Sequence, residues 1–208
     1  FGLLLFTAFP FIGSLYLSFT DYDLLSKPVW TGLDNYERLL TRDRTFNKSL
    51  NVTLLYVFMT VPLKLAFALL VAVVLNYKLK AMGFFRTAYY VPSILGGSIA
   101  IAVLWRYIFA EVGLVNMGLT ALGMEPVNWF GDPQNALFTL TLLRCWQFGS
   151  AMVIFLAALQ SVDRSLYEAS SIDGANKWQQ FRFITVPLIT PVIFFNLIMQ
   201  TVQAFQEF

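Results

Sequence analysis

The sequence predicts an all-α, polytopic helical membrane protein, and three observations lead there. Apolar residues make up 58% of the 208-residue chain and charged residues only 12%, against about 25% charged in an ordinary soluble domain. Five long apolar windows alternate with polar segments that hold most of the charge. The windows approach the roughly 20 helical residues that cross a bilayer core about 30 Å thick, and they are too long to be the strands of a closed barrel.

The first window, 1–19, has no basic n-region and no small-x-small cleavage pattern before Asp21, so it reads as a spanning helix rather than a secretory signal. Segment 20–51 balances five basic against five acidic residues and places turn residues at Pro28 and Gly32, which predicts a folded external loop. Further spans are expected at 52–75, 87–109, 136–159 and 188–208, all in one transmembrane domain over 1–208. Basic residues orient them. Segment 76–86 carries Lys78, Lys80 and Arg86 with no acid, and 160–187 carries Arg164, Lys177 and Arg182, whereas 110–135 carries Glu111, Glu125 and Asp132 with no base. Retained loops are enriched in Lys and Arg, so 76–86 and 160–187 are expected in the cytoplasm. The chain opens at Phe1 and stops at Phe208, both inside apolar runs, and both ends read as truncated.

Several classes are excluded. One cysteine, Cys145, and no histidine leave no disulfide framework within the chain and no Cys/His metal cluster. A net charge of +2 with no basic, aromatic-interleaved run lacks the footprint of a nucleic-acid binder. The chain offers no nucleophile with a base and no metal set, so neither an enzyme nor a bound cofactor is expected.

The most informative segment is 167–191, YEASSIDGANKWQQFRFITVPLITP. Ser165 and Glu168 have capping-box spacing, which predicts a short helix starting there. Gly174 can end it in a left-handed turn, Ala175 to Phe183 can restart it, and Pro187 and Pro191 suit the first turn of the next span. Leu166, Tyr167, Ala169, Ile172 and Phe181 make the segment more apolar than a solvated linker, so it wants a partner.

Glu168, Ala169, Ser170, Gly174, Ile184, Val186 and Pro187 together resemble the Glu-Ala-Ala, Gly, Ile-x-Leu-Pro signature of the membrane subunits of binding-protein-dependent ABC importers. Asp173-Gly174-Ala175 and Phe181 are similar to the sugar branch. Ser170 replaces the second alanine and Val186 the leucine, which keeps one position small and the other apolar. The likeness runs over essentially the whole chain, through GLDNYERLL, VPLKLAFALLVAVVLN, GFFRTAYYVPS and VNWFGDP. It implies the type I ABC importer permease fold, with about five of six core helices present and one after Phe208. It implies that Glu168, Ala169, Ser170, Asp173 and Gly174 form a coupling helix that docks in a groove of a cytoplasmic ATPase. On local sequence alone, Glu168 and Gly174 also read as capping residues. With no GxxxxGK[ST] loop here, ATP and Mg would sit on two partner ATPase subunits. A second, different permease subunit, an external substrate-binding protein and a multi-pass position in the inner membrane complete what the resemblance implies.

Candidates for the solute path come from polar residues inside the spans. Asn196, Gln200, Gln203 and Glu207 recur at i, i+4, i+7 and i+11, one face of a helix. Leu143, Trp146, Gln147 and Ser150 share a face of the preceding span. Amides suit sugar hydroxyls and an aromatic ring suits the apolar face of a pyranose, and in the resembling maltose transporter the corresponding helices line the sugar site. The same residue types also make helix-to-helix hydrogen bonds. Of the intramembrane cations, Lys64 is expected to face the bundle or pair across it, and Arg106 and Arg144 to snorkel to the interface. VPLKLA and WQFGSAMVIFLA are similar to oligouronide permeases, so an acidic oligosaccharide stays open beside a neutral one. The competing class is a secondary transporter or channel for a small polar solute. It should carry an ion relay and inverted repeats, and only Glu207 is a deep acid.

Overall fold

The computed structural model describes residues 1–77 and 82–207, so Lys78, Lys80 and Phe208 lie outside the described residues. The chain, expected as one domain, forms two compact units, 1–54 and 55–208.

In the first unit the apolar helix α1, Leu4–Leu17, is shorter than the expected 1–19 span and too short to cross a bilayer straight on. A two-residue hairpin follows, β1 Thr20–Asp21 antiparallel to β2 Val29–Trp30, with Thr20 opposite Trp30. Within the connecting loop, Asp23 accepts from the Leu25 and Ser26 amides and the Ser26 hydroxyl. Gly32 takes φ +66, the left-handed turn that glycine adopts without steric cost. Trp30 stacks on Phe19 at 5.5 Å, and Asn35 Nδ2 donates to the Ser18 and Thr20 carbonyls. The short helix α2, Asp34–Glu37, runs on into a π turn, Arg38–Arg42. Backbone groups and rings are thus tied down locally, as a folded loop requires.

Helix α3, Arg44–Asn76, is the longest, and Asp43 accepts the Phe46 amide at its start. It buries Val57, Val61, Leu65, Ala68, Ala72 and Leu75 against Phe148, Ala151, Met152, Phe155, Leu156 and Leu159. Ala68, Ala72 and Ala151 are wholly buried.

Two expected spans are not single helices. Span 87–109 is α4, Met82–Leu95, and α5, Ile99–Ile108, bent by 99°. Span 136–159 is α7, Pro133–Trp146, and α8, Gly149–Ser161, bent by 45°. Between α5 and α7 lies α6, Leu114–Ala121. The first break falls on Gly96-Gly97, and Ser98 caps α5 by accepting the Ile101 amide. The second falls at Gln147-Phe148, where the backbone of α4 presses on Gly149: a Cβ there would stand 2.5 Å from the Tyr89 carbonyl oxygen. Broken backbone inside a membrane needs internal partners, and each break satisfies the other. The Ser93 hydroxyl donates to the Gln147 carbonyl (3.0 Å) and accepts the Ser150 amide (3.1 Å), while Gln147 Nε2 donates to the Gly96 carbonyl (3.0 Å).

The loop 110–135 is organised by Asn116, which is 2% exposed. Its Nδ2 donates to the Ala110, Glu111 and Val127 carbonyls, and its Oδ1 accepts from the Val127 amide and the Trp129 indole. After α8 come α9, Arg164–Ile172, and α10, Lys177–Phe205, the last containing a π turn at Phe181–Thr185.

Candidate functional site

Around the break between α7 and α8, a chain of polar side chains gathers from three helices, α3, α7 and α10, and the residues that follow α7 and α10. Arg144 Nη1 donates to Gln147 Oε1 (2.9 Å) and its Nη2 lies 2.8 Å from Glu207 Oε1. The Tyr56 hydroxyl donates to Glu207 Oε2 at 2.5 Å. One turn or more away, Lys64 Nζ donates to Gln200 Oε1 (2.7 Å), and Thr60 bonds to Thr141 (3.0 Å). A cavity of about 320 Å³ opens beside this chain, lined by Tyr56, Gly96, Ser98, Arg144, Gln147 and Glu207 among others. Arg144–Glu207 is the one ion pair among the described residues. The expectation that Arg144 snorkels is therefore corrected: a carboxylate within reach inside the bundle holds the guanidinium inward. Lys64 does pair across the bundle, and Arg106 is exposed near the end of α5.

The seven candidate path residues do not form one surface. Gln147 and Glu207 line the cavity. Glu207 is the second residue after Phe205 of α10 and is held by its ion pair to Arg144. Trp146 does not share a helix face with Ser150, because the helix breaks between them. It stands 6.2 Å from Trp105, whose indole N–H is bonded to the Thr139 carbonyl, and Ser150 contributes its amide to Ser93. Gln200 holds Lys64. Asn196, 1% exposed, donates back to the Val192 carbonyl of its own helix, and Gln203 is exposed. Tyr56, Ser93 and the glycine pair were missed in the sequence. A Gly-Gly step within an apolar run was the available signal for the break.

The second candidate site is the turn between α9 and α10. Its helix starts two residues earlier than the Ser165–Glu168 box predicts: Asp163, in extended backbone, is the N-cap and accepts the Ser165 amide at 2.9 Å. That backbone hydrogen bond holds the Asp163 carboxyl below the ordinary aspartate value. Glu168 is left exposed with Ala169, and the reciprocal box forms instead between Asn176 and Gln179 at the start of α10. Gly174, at φ +82, closes α9 with the Ala175 amide on the Ser170 carbonyl (2.9 Å) and its own amide on that of Ser171 (3.2 Å). This is the double bond pattern of a left-handed helix stop. Asp173 is the C-cap residue. Gln180, missed in the sequence and 3% exposed, clasps the turn: its Nε2 faces the Tyr167 carbonyl (3.2 Å) and the hydroxyls of Ser170 (3.1 Å) and Ser171 (2.8 Å). The Tyr167 and Thr185 hydroxyls share a further bond at 2.7 Å. Around this braced turn, Ile172, Trp178 and Phe183 stand 86%, 66% and 68% exposed.

Among the described residues no group of His, Cys, Asp or Glu could hold a metal ion.

The chain is 50% identical over its whole length to the probable ABC transporter permease protein YesP of Bacillus subtilis (strain 168), covering 67% of that protein. It is 36% identical to the lactose transport system permease protein LacF of Rhizobium radiobacter, over 98% of this chain and 68% of that one. Among solved structures it superposes on a bacterial alginate ABC transporter in complex with an alginate pentasaccharide-bound periplasmic protein, with TM-score 0.80 and 26% identity over 95% of this chain and 66% of that one. The family model for the binding-protein-dependent transport system inner membrane component matches residues 42–208. The chain belongs to that family, the permease subunits of ABC importers.

Proposed function

We propose that this permease carries an oligosaccharide past the paired breaks in α4/α5 and α7/α8, driven by ATPase subunits that grip the turn between α9 and α10. The observation that carries this reading is the cavity of about 320 Å³ where Tyr56, Arg144, Gln147 and Glu207 converge. Amide, phenol and charged groups beside open backbone can trade their mutual hydrogen bonds for sugar hydroxyls at little net cost. The breaks give the half-helices somewhere to pivot. The braced turn, with exposed apolar residues around it, suits a push from the cytoplasm, since Gln180 joins α9 firmly to the base of α10.

ATP and Mg belong to two partner ATPase subunits in this reading, a second permease completes the path, and an external binding protein delivers the solute. The permease lies in the inner membrane with the turn in the cytoplasm. The alginate transporter solved with a loaded periplasmic protein supports delivery of this kind. A secondary transporter also uses broken helices, but it has no use for a braced cytoplasmic turn of this signature.

A narrower substrate class has one specific support. Lys64 and Arg144 outnumber Glu207 by one charge in the cluster, and a surplus charge inside a membrane is costly unless something compensates it. An acidic oligosaccharide would supply that compensation. Uptake of matched neutral and acidic oligosaccharides by the reconstituted importer tests both levels. Acidic preference is expected. Uptake of neutral sugars alone removes the charge argument, and no sugar uptake at all removes the reading.

Gln147→Ala should lower uptake about three- to ten-fold, the range expected for one neutral hydrogen bond. Unchanged uptake would take Gln147 off the path.

A further inference from the structure

At the end of the second unit away from the cavity, a cleft of about 760 Å³ is lined by Arg86, Arg164 and Lys177 together with apolar residues including Val73, Leu159 and Phe181. No Asp or Glu lines it among the described residues. Lys177 gives one of its three donors to Gln180 Oε1 (3.2 Å). Asp163, next to Arg164 in sequence, is engaged at the Ser165 amide. Arg86 Nε is buried and has no hydrogen-bond partner among the described residues. A buried guanidinium N–H left unsatisfied is costly, and a guanidinium fork matches the oxygens of a phosphate better than any other common anion in a membrane.

We propose that this cleft seats the phosphate of an anionic phospholipid headgroup, with the acyl chains leaving along the apolar wall. Two features favour a lipid over a soluble phosphate. The cations share the cleft with Val73, Leu159 and Phe181, which a free anion cannot use. The cleft also lies on the basic side of the spans, where headgroups of the cytoplasmic leaflet reach basic residues between helices. The inference rests on that orientation and not on the identity of the sugar. A lipid there would touch α4, α8, α9 and the base of α10 at once, and so would set how stiffly the turn is joined to the spans.

The test is native mass spectrometry of the intact importer reconstituted in phosphatidylcholine with added phosphatidylglycerol, comparing wild type with Arg86→Gln and with Arg86→Lys. Wild type should retain phosphatidylglycerol selectively. Arg86→Gln should weaken retention about five-fold, the scale of one basic residue at a headgroup. Arg86→Lys keeps the charge and the fold but loses the fork, so its retention should fall between the two. Equal retention in all three proteins would overturn the proposal. Displacement of the lipid by inorganic phosphate or glycerol phosphate at comparable concentration would overturn it too, by making the site one for a soluble anion.

Discussion

Single residues set the two sites, and their effects are separable. Glu207→Gln removes the carboxylate facing Arg144 and Tyr56 and leaves a guanidinium half-buried and unpaired. It should destabilise the assembled protein by about 2 kcal/mol, below the full figure for a buried pair because both partners keep some solvent contact. Thermal unfolding in detergent measures this. Arg144→Met with Glu207→Leu should recover most of the stability while abolishing transport, because no charge is left unpaired although the bonds to Tyr56 and Gln147 are lost with the pair. Gly174→Ala forces an L side chain into φ +82, at about 1–2 kcal/mol, and should uncouple ATP hydrolysis from solute without blocking insertion.

Asp163 has its carboxyl held below the ordinary aspartate value. Its cap therefore contributes fully at neutral pH and is lost only as pH falls through that lowered value. Hydrogen exchange at the Ser165 amide should stay protected through mildly acidic pH, and Asp163→Asn should remove the pH dependence. At this scale the sequence was legible where conformation is local, as with Gly174, whose turn needs a missing Cβ. Arg144 was misread because its partner lies far along the chain, and no local pattern announces a carboxylate at Glu207. The Ser165–Glu168 spacing points to a start two residues too late, because the Asp163 cap at Ser165 carries no reciprocal partner to mark it.

Among elements, the paired breaks and the Gln180 clasp are the parts that the proposed cycle needs to move or transmit. Gly149 sits where a Cβ would meet the Tyr89 carbonyl at 2.5 Å, so Gly149→Ala must push α4 off α8. The expected result is lost transport with α3 and α10 still packed, checked by uptake together with thermal unfolding. Gln180→Leu removes two N–H donors shared among three acceptors. It should cost about 1–3 kcal/mol and lower substrate-stimulated ATP hydrolysis more than basal hydrolysis. Hydropathy located the apolar windows because bilayer thickness dictates their length. It could not see the breaks, since Gly96-Gly97 and Gln147-Phe148 stay apolar enough on average while their backbone departs from the helix. In the loop 110–135 the organising residue, Asn116, looks in the sequence like any polar residue of a helix.

For the whole molecule, the braced turn and the polar cluster lie at opposite ends of shared helices. α10 carries Gln180 at its base and Gln200 near its far end, and α8 runs from the break at Gly149 to the Ser161 end that leads into α9. In the proposed cycle a displacement of the turn reaches the α7/α8 break along α8, and the α4/α5 break through the hydrogen bonds of Ser93 and Gln147. The family could be recognised from the spacing of Glu168, Gly174 and Pro187, whereas the site that meets solute could not, because it is assembled from residues as distant as Tyr56 and Glu207. The most direct test is substrate-stimulated ATP hydrolysis by the reconstituted importer, comparing wild type with a Glu168→Lys, Gly174→Asp double variant. Loss of stimulation and weaker association with the ATPase, with membrane insertion intact, is the expected result. Stimulation equal to wild type would contradict it and would leave Glu168 and Gly174 as no more than the ends of a short helix.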